Sequence, residues 1–341
     1  MNLVLVTDAW LPQVNGVVRT LSTLKERLEG RGFAVHTITP DLFKTIPCPT
    51  YPEIRLALSP GRKVRQIIES TRPNIVHIAT EGPLGLAARN YCVRRNIPFT
   101  TAFHTKFPEY VHARLKLPVS WGYAMERWFH KSSKGIMVAT KGIERELTGW
   151  GLSPVKTWTR GVDTELFRPR DKTLLDGVIT GPRPWFVNVG RVAVEKNIEA
   201  FLDLDLPGTK IMVGGGPQLD SLKAKYPDVH FAGMKQGEEL ATYFSVADCF
   251  VFPSLTDTFG LVMLEAMASG LPVAAYPVPG PLDVVADHPV GVLDQDLKTA
   301  CLKALEVSPE ACRTHALANS WDACVDQFLA NVYPFDPKRF F

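Results

Sequence analysis

A chain of 341 residues with 45% hydrophobic side chains can bury a large core, and its length fits two domains better than one. We expect neither secretion nor membrane spanning, because the opening residues resemble a strand rather than a cationic leader and no run of ~20 apolar residues occurs. Residues 1–165 carry 23 Lys and Arg against 13 Asp and Glu, a net charge of +10, whereas the remainder carries −7. The basic half suits an anionic partner, either nucleic acid or anionic lipid, and a solvated surface is the alternative.

Apolar strand-like runs alternate with segments of helical period from the first residue, which predicts an α/β fold with a parallel sheet. In residues 1–165 we predict strands at Leu3–Thr7, Ala34–Thr39, Ile75–Ala79, Phe99–Phe103, Gly135–Ala139 and Val155–Thr159. The helices predicted between them are Val17–Arg31, Lys63–Ser70, Leu84–Arg95 and Gly142–Trp150. We assign residues 1–165 to one Rossmann-like domain.

Residues 166–184 are rich in Pro, Gly and charge and are predicted to be a linker. A second Rossmann-like domain is predicted over residues 185–318, with a helical tail over 319–341. Its predicted strands are Trp185–Val189, Lys210–Val213, Val229–Phe231, Cys249–Phe252 and Val273–Tyr276. Its predicted helices are Asn197–Leu204, Leu219–Tyr226, Glu238–Ala247 and Leu261–Ser269, and the tail contains Trp321–Val332. Two such domains are expected to bind a nucleotide-sized ligand in the cleft between them.

Three segments place polar groups at the ends of predicted strands. Gly16 directly precedes the first helix, whose free amides suit an anion such as diphosphate; a structural capping glycine is the alternative. Arg191 and Lys196 follow the strand Trp185–Val189 and can hold a diphosphate leaving group, with plain surface solvation as the alternative. Gly215, within a run of three glycines, permits close backbone approach or serves a plain turn.

The segment PSLTDTFGLVMLEAMASGLPV, residues 253–273, is the most specific one. Asp257 lies at the end of a predicted strand, Gly260 precedes a helix with free amides, and Glu265 falls within that helix. Two carboxylates at this spacing can accept hydrogen bonds from hydroxyls of two different sugars.

Taken in order, these motifs resemble the retaining GT-B glycosyltransferases of glycosyltransferase family 4, whose signature is an acidic pair at Glu-x7-Glu spacing. The resemblance covers essentially the whole chain and includes TDAWLPQVNGVVRTL (7–21), FHTKFPEY (103–110), TRGVDTELFRP (159–169), GRVAVEKN (190–197), GGGP (214–217) and SWDACVDQFL (320–329). It implies a GT-B fold, two Rossmann-like domains facing across a cleft, and transfer of a hexose from a nucleotide diphosphate sugar with retained anomeric configuration.

The resemblance also implies roles for residues of the second domain. Glu265 is expected to bind the ribose, and Asp257 is expected to bind the donor sugar and distal phosphate together with the amides of Phe259, Gly260 and Leu261. Asp257 stands where the family usually has Glu. We expect this shortening by one methylene to tune donor choice rather than remove activity.

Four further residues match family positions. Arg191 and Lys196 correspond to the diphosphate clamp, Gly16 to the phosphate approach of the first domain, and His104 to the histidine near the donor sugar. A histidine after an apolar strand would by itself be read as structural. The family uses no enzymic nucleophile, because the departing phosphate oxygen is thought to take the acceptor proton on the same face.

We expect no cofactor and no metal for this transfer, since the nucleotide sugar is a substrate. Two Asp-x-Asp matches, at Asp203 with Asp205 and at Asp294 with Asp296, lie in contexts unlike a metal-binding strand end.

Aromatic and basic residues interleave between His112 and Lys134, on a helix expected to start near Pro118, which favours contact with an anionic membrane surface. A core-packing helix with a solvated basic edge is the alternative. The residues assigned to the membrane contact are Arg114, Lys116, Trp121, Arg127 and Trp128. A membrane lipid such as diacylglycerol is then the expected acceptor, with UDP-glucose, UDP-glucuronate or GDP-mannose as donor, at the cytoplasmic face of the inner membrane.

Other classes of protein fit less well. An exported sugar-binding protein conflicts with six scattered cysteines and the absence of a leader, and a nicotinamide dehydrogenase needs a glycine fingerprint that TDAWLPQVNG does not supply. Nucleic-acid binding would need a zinc module, a helix-turn-helix or an RNA-binding signature, none of which we recognise. A soluble or polysaccharide acceptor, and a GT-B-fold sugar-nucleotide epimerase, stay open.

Overall fold

The computed structural model describes residues 1–13, 15–48, 51–109, 116–255, 257 and 259–341, except for the side chains of residues 51–53 and 195. It forms two compact units, which we call the N-terminal unit (Met1–Thr159 with Trp321–Phe341) and the C-terminal unit (Arg160–Ser320).

Each unit contains a six-stranded parallel sheet, in agreement with the predicted α/β class. The strands of the N-terminal unit run in the order β2-β1-β5-β6-β7-β8, and those of the C-terminal unit in the order β11-β10-β9-β12-β13-β14. In both sheets the strand order reverses beside the first strand, which creates a switch point at the carboxyl end of the sheet.

The N-terminal unit contains eight described strands and six described helices. Its strands are β1 (Asn2–Val6), β2 (Ala34–Ile38), β3 (Thr45–Cys48), β4 (Tyr51–Ala57), β5 (Ile75–Ile78), β6 (Thr100–Phe103), β7 (Ile136–Val138) and β8 (Val155–Thr157). Its helices are α1 (Gly16–Gly30), α2 (Gly61–Thr71), α3 (Pro83–Arg95), α4 (Val119–His130), α5 (Lys141–Gly149) and, near the carboxyl terminus of the chain, α13 (Trp321–Asn331).

The C-terminal unit follows the same βα alternation. Its strands are β9 (Trp185–Val189), β10 (Thr209–Val213), β11 (His230–Gly233), β12 (Cys249–Phe252), β13 (Val273–Ala275) and β14 (Gly291–Leu293). Its helices are α6 (Glu199–Leu202), α7 (Leu219–Lys225), α8 (Gly237–Val246), α9 (Leu261–Ala268), α10 (Pro279–Val284), α11 (Leu297–Ala304) and α12 (Pro309–Ala318).

Helix α13 is part of the N-terminal unit rather than a separate tail over 319–341. Trp321 and Phe328 are buried in one apolar cluster with Leu21 and Leu24 of α1. The Arg31 guanidinium also pairs with the carboxylate of Asp322 at 3.0 Å. Burial of these large side chains, each contributing about 1.5–3 kcal/mol, explains why the chain returns to its first unit.

The segment predicted as a linker, residues 166–184, belongs to the C-terminal unit. That unit begins at Arg160, whereas the first domain was predicted to extend to residue 165. Phe167 and Ile179 are buried in the same core as Trp185. The Pro and Gly residues therefore shape a packed irregular segment, because two apolar side chains within it reach the core.

Candidate functional site

The loops that follow β9 and β10 in the C-terminal unit pack backbone against backbone. A Cβ atom added to Gly214 would lie 1.8 Å from the carbonyl oxygen of Gly190, and one added to Gly216 would lie 2.4 Å from that of Val192. The Val192 amide donates to the carbonyl oxygen of Gly215 at 2.9 Å. Positions 214 and 216 therefore require glycine, and their close approach fixes the loop after β9.

Gly215, the predicted donor-binding glycine, has different surroundings. A Cβ atom there would meet only the terminal methyl group of Met234, at 3.2 Å. Packing therefore does not require glycine at position 215. The role of Gly215 in ligand binding stays a prediction, which a substitution at this position can test.

The two predicted diphosphate-binding cations lie on the loop after β9. Arg191 is exposed, and Lys196 ends a short 3-10 turn, Val194–Lys196. Asn197 follows in the left-handed conformation with φ at 52°, and its side-chain amide donates to the carbonyl oxygen of Pro253 at 3.1 Å. This bond ties the loop after β9 to the segment after β12, a function of Asn197 that the sequence pattern did not reveal.

Lys196 and Asp257 are brought into direct contact. The Lys196 ammonium group donates to both carboxylate oxygens of Asp257, at 2.6 and 2.8 Å, and both side chains are partly exposed. Because β9 and β12 are neighbours at the switch point of the sheet, the predicted phosphate cation and the predicted sugar-binding carboxylate share one edge.

The backbone around Asp257 is shaped by two glycines. A Cβ atom added to Gly280, at the start of α10, would lie 2.6 Å from the Asp257 carbonyl oxygen. Gly260 adopts φ of 78°, which places it in the left-handed region immediately before α9. The sequence analysis did not predict a role for Gly280, and the only sequence signal for it is the VPGP segment.

Helix α9 presents the remaining predicted donor contacts. No described side chain caps its first turn, so the first amides of the helix have no side-chain acceptor among the described residues. Anion binding by the amides of Phe259, Gly260 and Leu261 stays a prediction. Glu265 lies on the second turn and is buried. Thr256 and Thr258 lie outside the described residues.

The prediction for Gly16 needs correction. Gly16 is the first residue of α1, and the residue that caps the helix is Asn15, whose side-chain oxygen accepts from the amides of Val17 and Val18, both at 3.0 Å. These two amides are therefore not free for a phosphate. Asparagine is favoured at the N-cap position, so the Asn of the sequence VNG was the signal for this cap.

A buried carboxylate occupies the neighbouring loop of the N-terminal unit. Asp8 accepts hydrogen bonds from the amides of Leu84 and Gly85, at 2.9 and 3.3 Å, and from the hydroxyl group of Thr80 at 2.9 Å. Burial raises the pKa of Asp8, while these hydrogen bonds lower it. Asp8 thus fills the N-terminus of α3, a structural role that the sequence analysis missed.

His104 lies directly after β6, as predicted, and is partly buried. Its ring contacts that of Trp158 edge to face, with centroids 6.0 Å apart. This contact orients the imidazole within the N-terminal unit.

Most of the predicted membrane-contact residues lie on or beside α4, which begins one residue after Pro118. Lys116, Trp121 and Trp128 are exposed, and Arg127 is half-buried, with its guanidinium donating to the carbonyl oxygen of Trp150 at 2.9 Å. Arg114 lies outside the described residues.

The four carboxylates of the Asp-x-Asp matches have other partners. Asp203 accepts from the Tyr226 hydroxyl group at 2.6 Å, and Asp205 pairs with Lys298 at 3.2 Å. Asp294 accepts from the amide of Asp296 at 3.0 Å, and Asp296 caps α11.

Comparison with known proteins places these features in one family. The model described as Glycosyltransferase Family 4 matches residues 14–166, and the model described as Glycosyl transferases group 1 matches residues 183–306. Among solved structures, sucrose-phosphate synthase from Thermosynechococcus elongatus superposes with a TM-score of 0.77 at 20% identity, covering 96% of this chain and 97% of that one. The GT-B fold is confirmed.

Curated relatives are similar at 26–30% identity. The GDP-mannose-dependent alpha-mannosyltransferase of Mycobacterium tuberculosis is 26% identical over 98% of this chain and 97% of its own length. The alpha-monoglucosyldiacylglycerol synthase of Streptococcus pneumoniae is 28% identical over 98% and 85%. The sulfoquinovosyl transferase SQD2 of Arabidopsis thaliana is 30% identical over 76% of this chain, and that match spans only 52% of the plant protein.

Proposed function

We propose that this chain, which belongs to glycosyltransferase family 4 and is a hexosyltransferase, moves a hexose from a UDP- or GDP-sugar to a membrane lipid with retained anomeric configuration. The observation that carries the proposal is the contact of Lys196 with Asp257 at the switch point of the C-terminal sheet.

The contact supports the proposed donor chemistry as follows. A diphosphate bound at this edge competes with Asp257 for the Lys196 ammonium group, because phosphate oxygens are strong acceptors for cations. Release of Asp257 leaves a carboxylate beside the phosphate that can accept hydrogen bonds from sugar hydroxyls. Donor binding and exposure of the sugar-binding carboxylate are thereby coupled.

The proposed step breaks the bond between the anomeric carbon and the phosphate oxygen and forms a bond from that carbon to the acceptor oxygen. Arg191 and Lys196 stabilise the negative charge that develops on the departing diphosphate. That diphosphate takes the acceptor proton on the same face, so the step balances without an enzymic nucleophile, a metal ion or another cofactor.

The lipid acceptor is supported by an unusual face of α4. Trp121, Met125 and Trp128 follow each other at helical spacing and are 67%, 55% and 45% exposed. The opposite face is buried through residues such as Tyr123 and Phe129. Because one face of α4 is buried, the exposed apolar stripe on the other face is available to a partner.

Charge supports a bilayer as the partner that we propose for this face. Lys116 and Lys131 are exposed and lie just before and just after α4 in the sequence, Arg127 lies half-buried on the helix, and the first 165 residues carry a net charge of +10. Aromatic residues bordered by cations suit the interface of an anionic membrane. We therefore propose peripheral docking at the cytoplasmic face of the inner membrane, where diacylglycerol is the acceptor, the lipid in the name of the Streptococcus pneumoniae relative.

In the described part of the chain, no helix combines the length and apolar character that crossing a bilayer requires.

The docking helix gives a specific prediction. The double substitution Trp121→Ala with Met125→Ala is expected to weaken binding to phosphatidylglycerol vesicles at least about tenfold, because two exposed apolar side chains no longer enter the interface. Cosedimentation with vesicles measures the effect. Leu174→Ala, a similarly exposed apolar site in the C-terminal unit, is the control that should bind as the unaltered chain does. Vesicle binding that survives the double substitution unchanged contradicts this surface.

The acceptor itself is tested by mass spectrometry of lipids after incubation with diacylglycerol in anionic vesicles and a panel of UDP- and GDP-sugars, with and without EDTA. A glycosylated diacylglycerol formed in EDTA is the expected product. Hydrolysis or epimerisation of the nucleotide sugar without a lipid product would overturn the lipid acceptor while leaving the nucleotide-sugar site in place. Complete loss of transfer in EDTA would overturn metal independence.

A further inference from the structure

A cluster of three ionisable side chains lies inside the N-terminal unit. Glu81 follows β5, and Glu126 and His130 lie one turn apart on the buried face of α4. Their side chains are 8%, 1% and 0% exposed. The transfer chemistry described above uses none of them.

Three atoms of this cluster converge without hydrogen bonds. His130 Nε2 lies 3.3 Å from Glu126 Oε2 and 3.5 Å from Glu81 Oε1, and one ligand atom from each residue lies within 4.8 Å of the other two. Beyond these contacts within the cluster, none of the three atoms has a hydrogen-bond partner among the described residues, although each is buried. Unsatisfied buried polar atoms are costly, so such a convergence requires a physical reason.

The other nitrogen of His130 contacts a hydroxyl group. His130 Nδ1 lies 2.8 Å from the hydroxyl oxygen of Thr101, and that hydroxyl can donate to the carbonyl oxygen of Gly135 at 3.5 Å. When Nδ1–H donates to Thr101 and the ring is neutral, Nε2 carries a lone pair that faces the two carboxylate oxygens. Three electron-rich atoms repel each other unless a cation, either a proton on Nε2 or a metal ion, lies between them.

We propose that Glu81 Oε1, Glu126 Oε2 and His130 Nε2 bind a divalent transition-metal ion of the zinc type. Two ligands ~2.0–2.1 Å from a tetrahedral ion are separated by about 3.3–3.4 Å, which matches the 3.3 Å from Nε2 to Glu126 and is close to the 3.5 Å to Glu81. Two carboxylates neutralise a divalent ion, and imidazole favours zinc over magnesium or calcium. The bond from Nδ1 to Thr101 is the outer contact that a metal-binding histidine typically makes.

The ion acts as a structural staple in this proposal. It joins the loop after β5 to the buried face of α4, whose opposite face carries Trp121 and Met125. The ion takes no part in the transfer step. Brief exposure to EDTA leaves a buried ion in place, so transfer that continues in EDTA does not conflict with this structural ion.

Metal content of the full chain, purified without a nickel column or chelator, tests the site. Inductively coupled plasma mass spectrometry is expected to find about one zinc ion per chain, and the Glu126→Gln variant less than about a tenth of that. His77→Gln is the matched control, because His77 is equally buried and its Nδ1 likewise contacts a threonine hydroxyl group, that of Thr100, at 2.9 Å. This variant should retain the ion.

A second measurement keeps the proposal testable if the variant folds poorly. Stripping the unaltered chain with a strong chelator and adding Co²⁺ should produce the absorption bands of a tetrahedral cobalt site, and zinc should raise the thermal unfolding midpoint. Less than about a tenth of an equivalent of metal before and after reconstitution, with an unchanged midpoint, would overturn the proposal. Glu126→Gln retaining a full equivalent of zinc would overturn the assignment of ligands.

Discussion

Replacing Lys196 with alanine is expected to lower kcat by about 10²–10³-fold, while the KM for the nucleotide sugar changes much less. The reason is that a cation beside the leaving diphosphate stabilises charge that develops mainly in the transition state. Steady-state kinetics with a UDP- or GDP-sugar measures both constants. A rise in KM with kcat unchanged would show instead that Lys196 contributes only to binding.

Two companion variants make the Lys196 experiment specific. Lys298→Ala removes another lysine of the C-terminal unit that pairs with a single aspartate, Asp205, and it should leave kcat unchanged. The double variant Lys196→Ala with Asp257→Ala should show a smaller fold loss of activity than the product of the fold losses of the two single variants. The reason is that the two residues are in direct contact. Independent effects would contradict the proposed coupling between donor binding and release of Asp257.

Gly214→Ala is expected to lower the free energy of unfolding by about 3 kcal/mol and to abolish most activity. The added methyl group would lie 1.8 Å from the Gly190 carbonyl oxygen, and φ at 146° is a conformation that side chains rarely adopt. The loops after β9 and β10 would have to separate, which displaces the predicted phosphate-binding cations. Urea denaturation followed by circular dichroism measures the loss.

Gly215→Ala provides the contrast one residue away. Its methyl group would meet only the flexible end of Met234, so stability should change by less than about 0.5 kcal/mol. If the backbone at 215 approaches the donor, the KM for the nucleotide sugar should rise by about tenfold. A Gly214→Ala variant as stable as Gly215→Ala would refute the packing argument.

Much of the fold could be predicted because hydrophobic periodicity is a local signal. The strands Trp185–Val189 and Cys249–Phe252 were predicted at their observed ends, since both are mainly apolar runs between turn residues. The β3–β4 hairpin was missed, because Pro47 and Pro52 interrupt its pattern.

The parts that could not be predicted depend on tertiary contacts. The return of α13 to α1 is decided by burial of Trp321 and Phe328 against residues about 300 positions away in sequence. The same holds for the candidate site, where the order of motifs indicated Lys196 and Asp257 separately. Their ion pair, and the packing of Gly280 on the Asp257 backbone, follow from the adjacency of strands and helices that no local pattern encodes.

The anomeric configuration of the glycolipid product tests the central claim most directly. We would incubate the chain with diacylglycerol vesicles and an α-configured nucleotide sugar in EDTA, and determine the configuration of the purified product by NMR. The account predicts an α-linked glycolipid, formed on the face from which the diphosphate departs. A β-linked product would contradict the proposed same-face transfer, and free hexose as the only product would contradict transfer to the lipid.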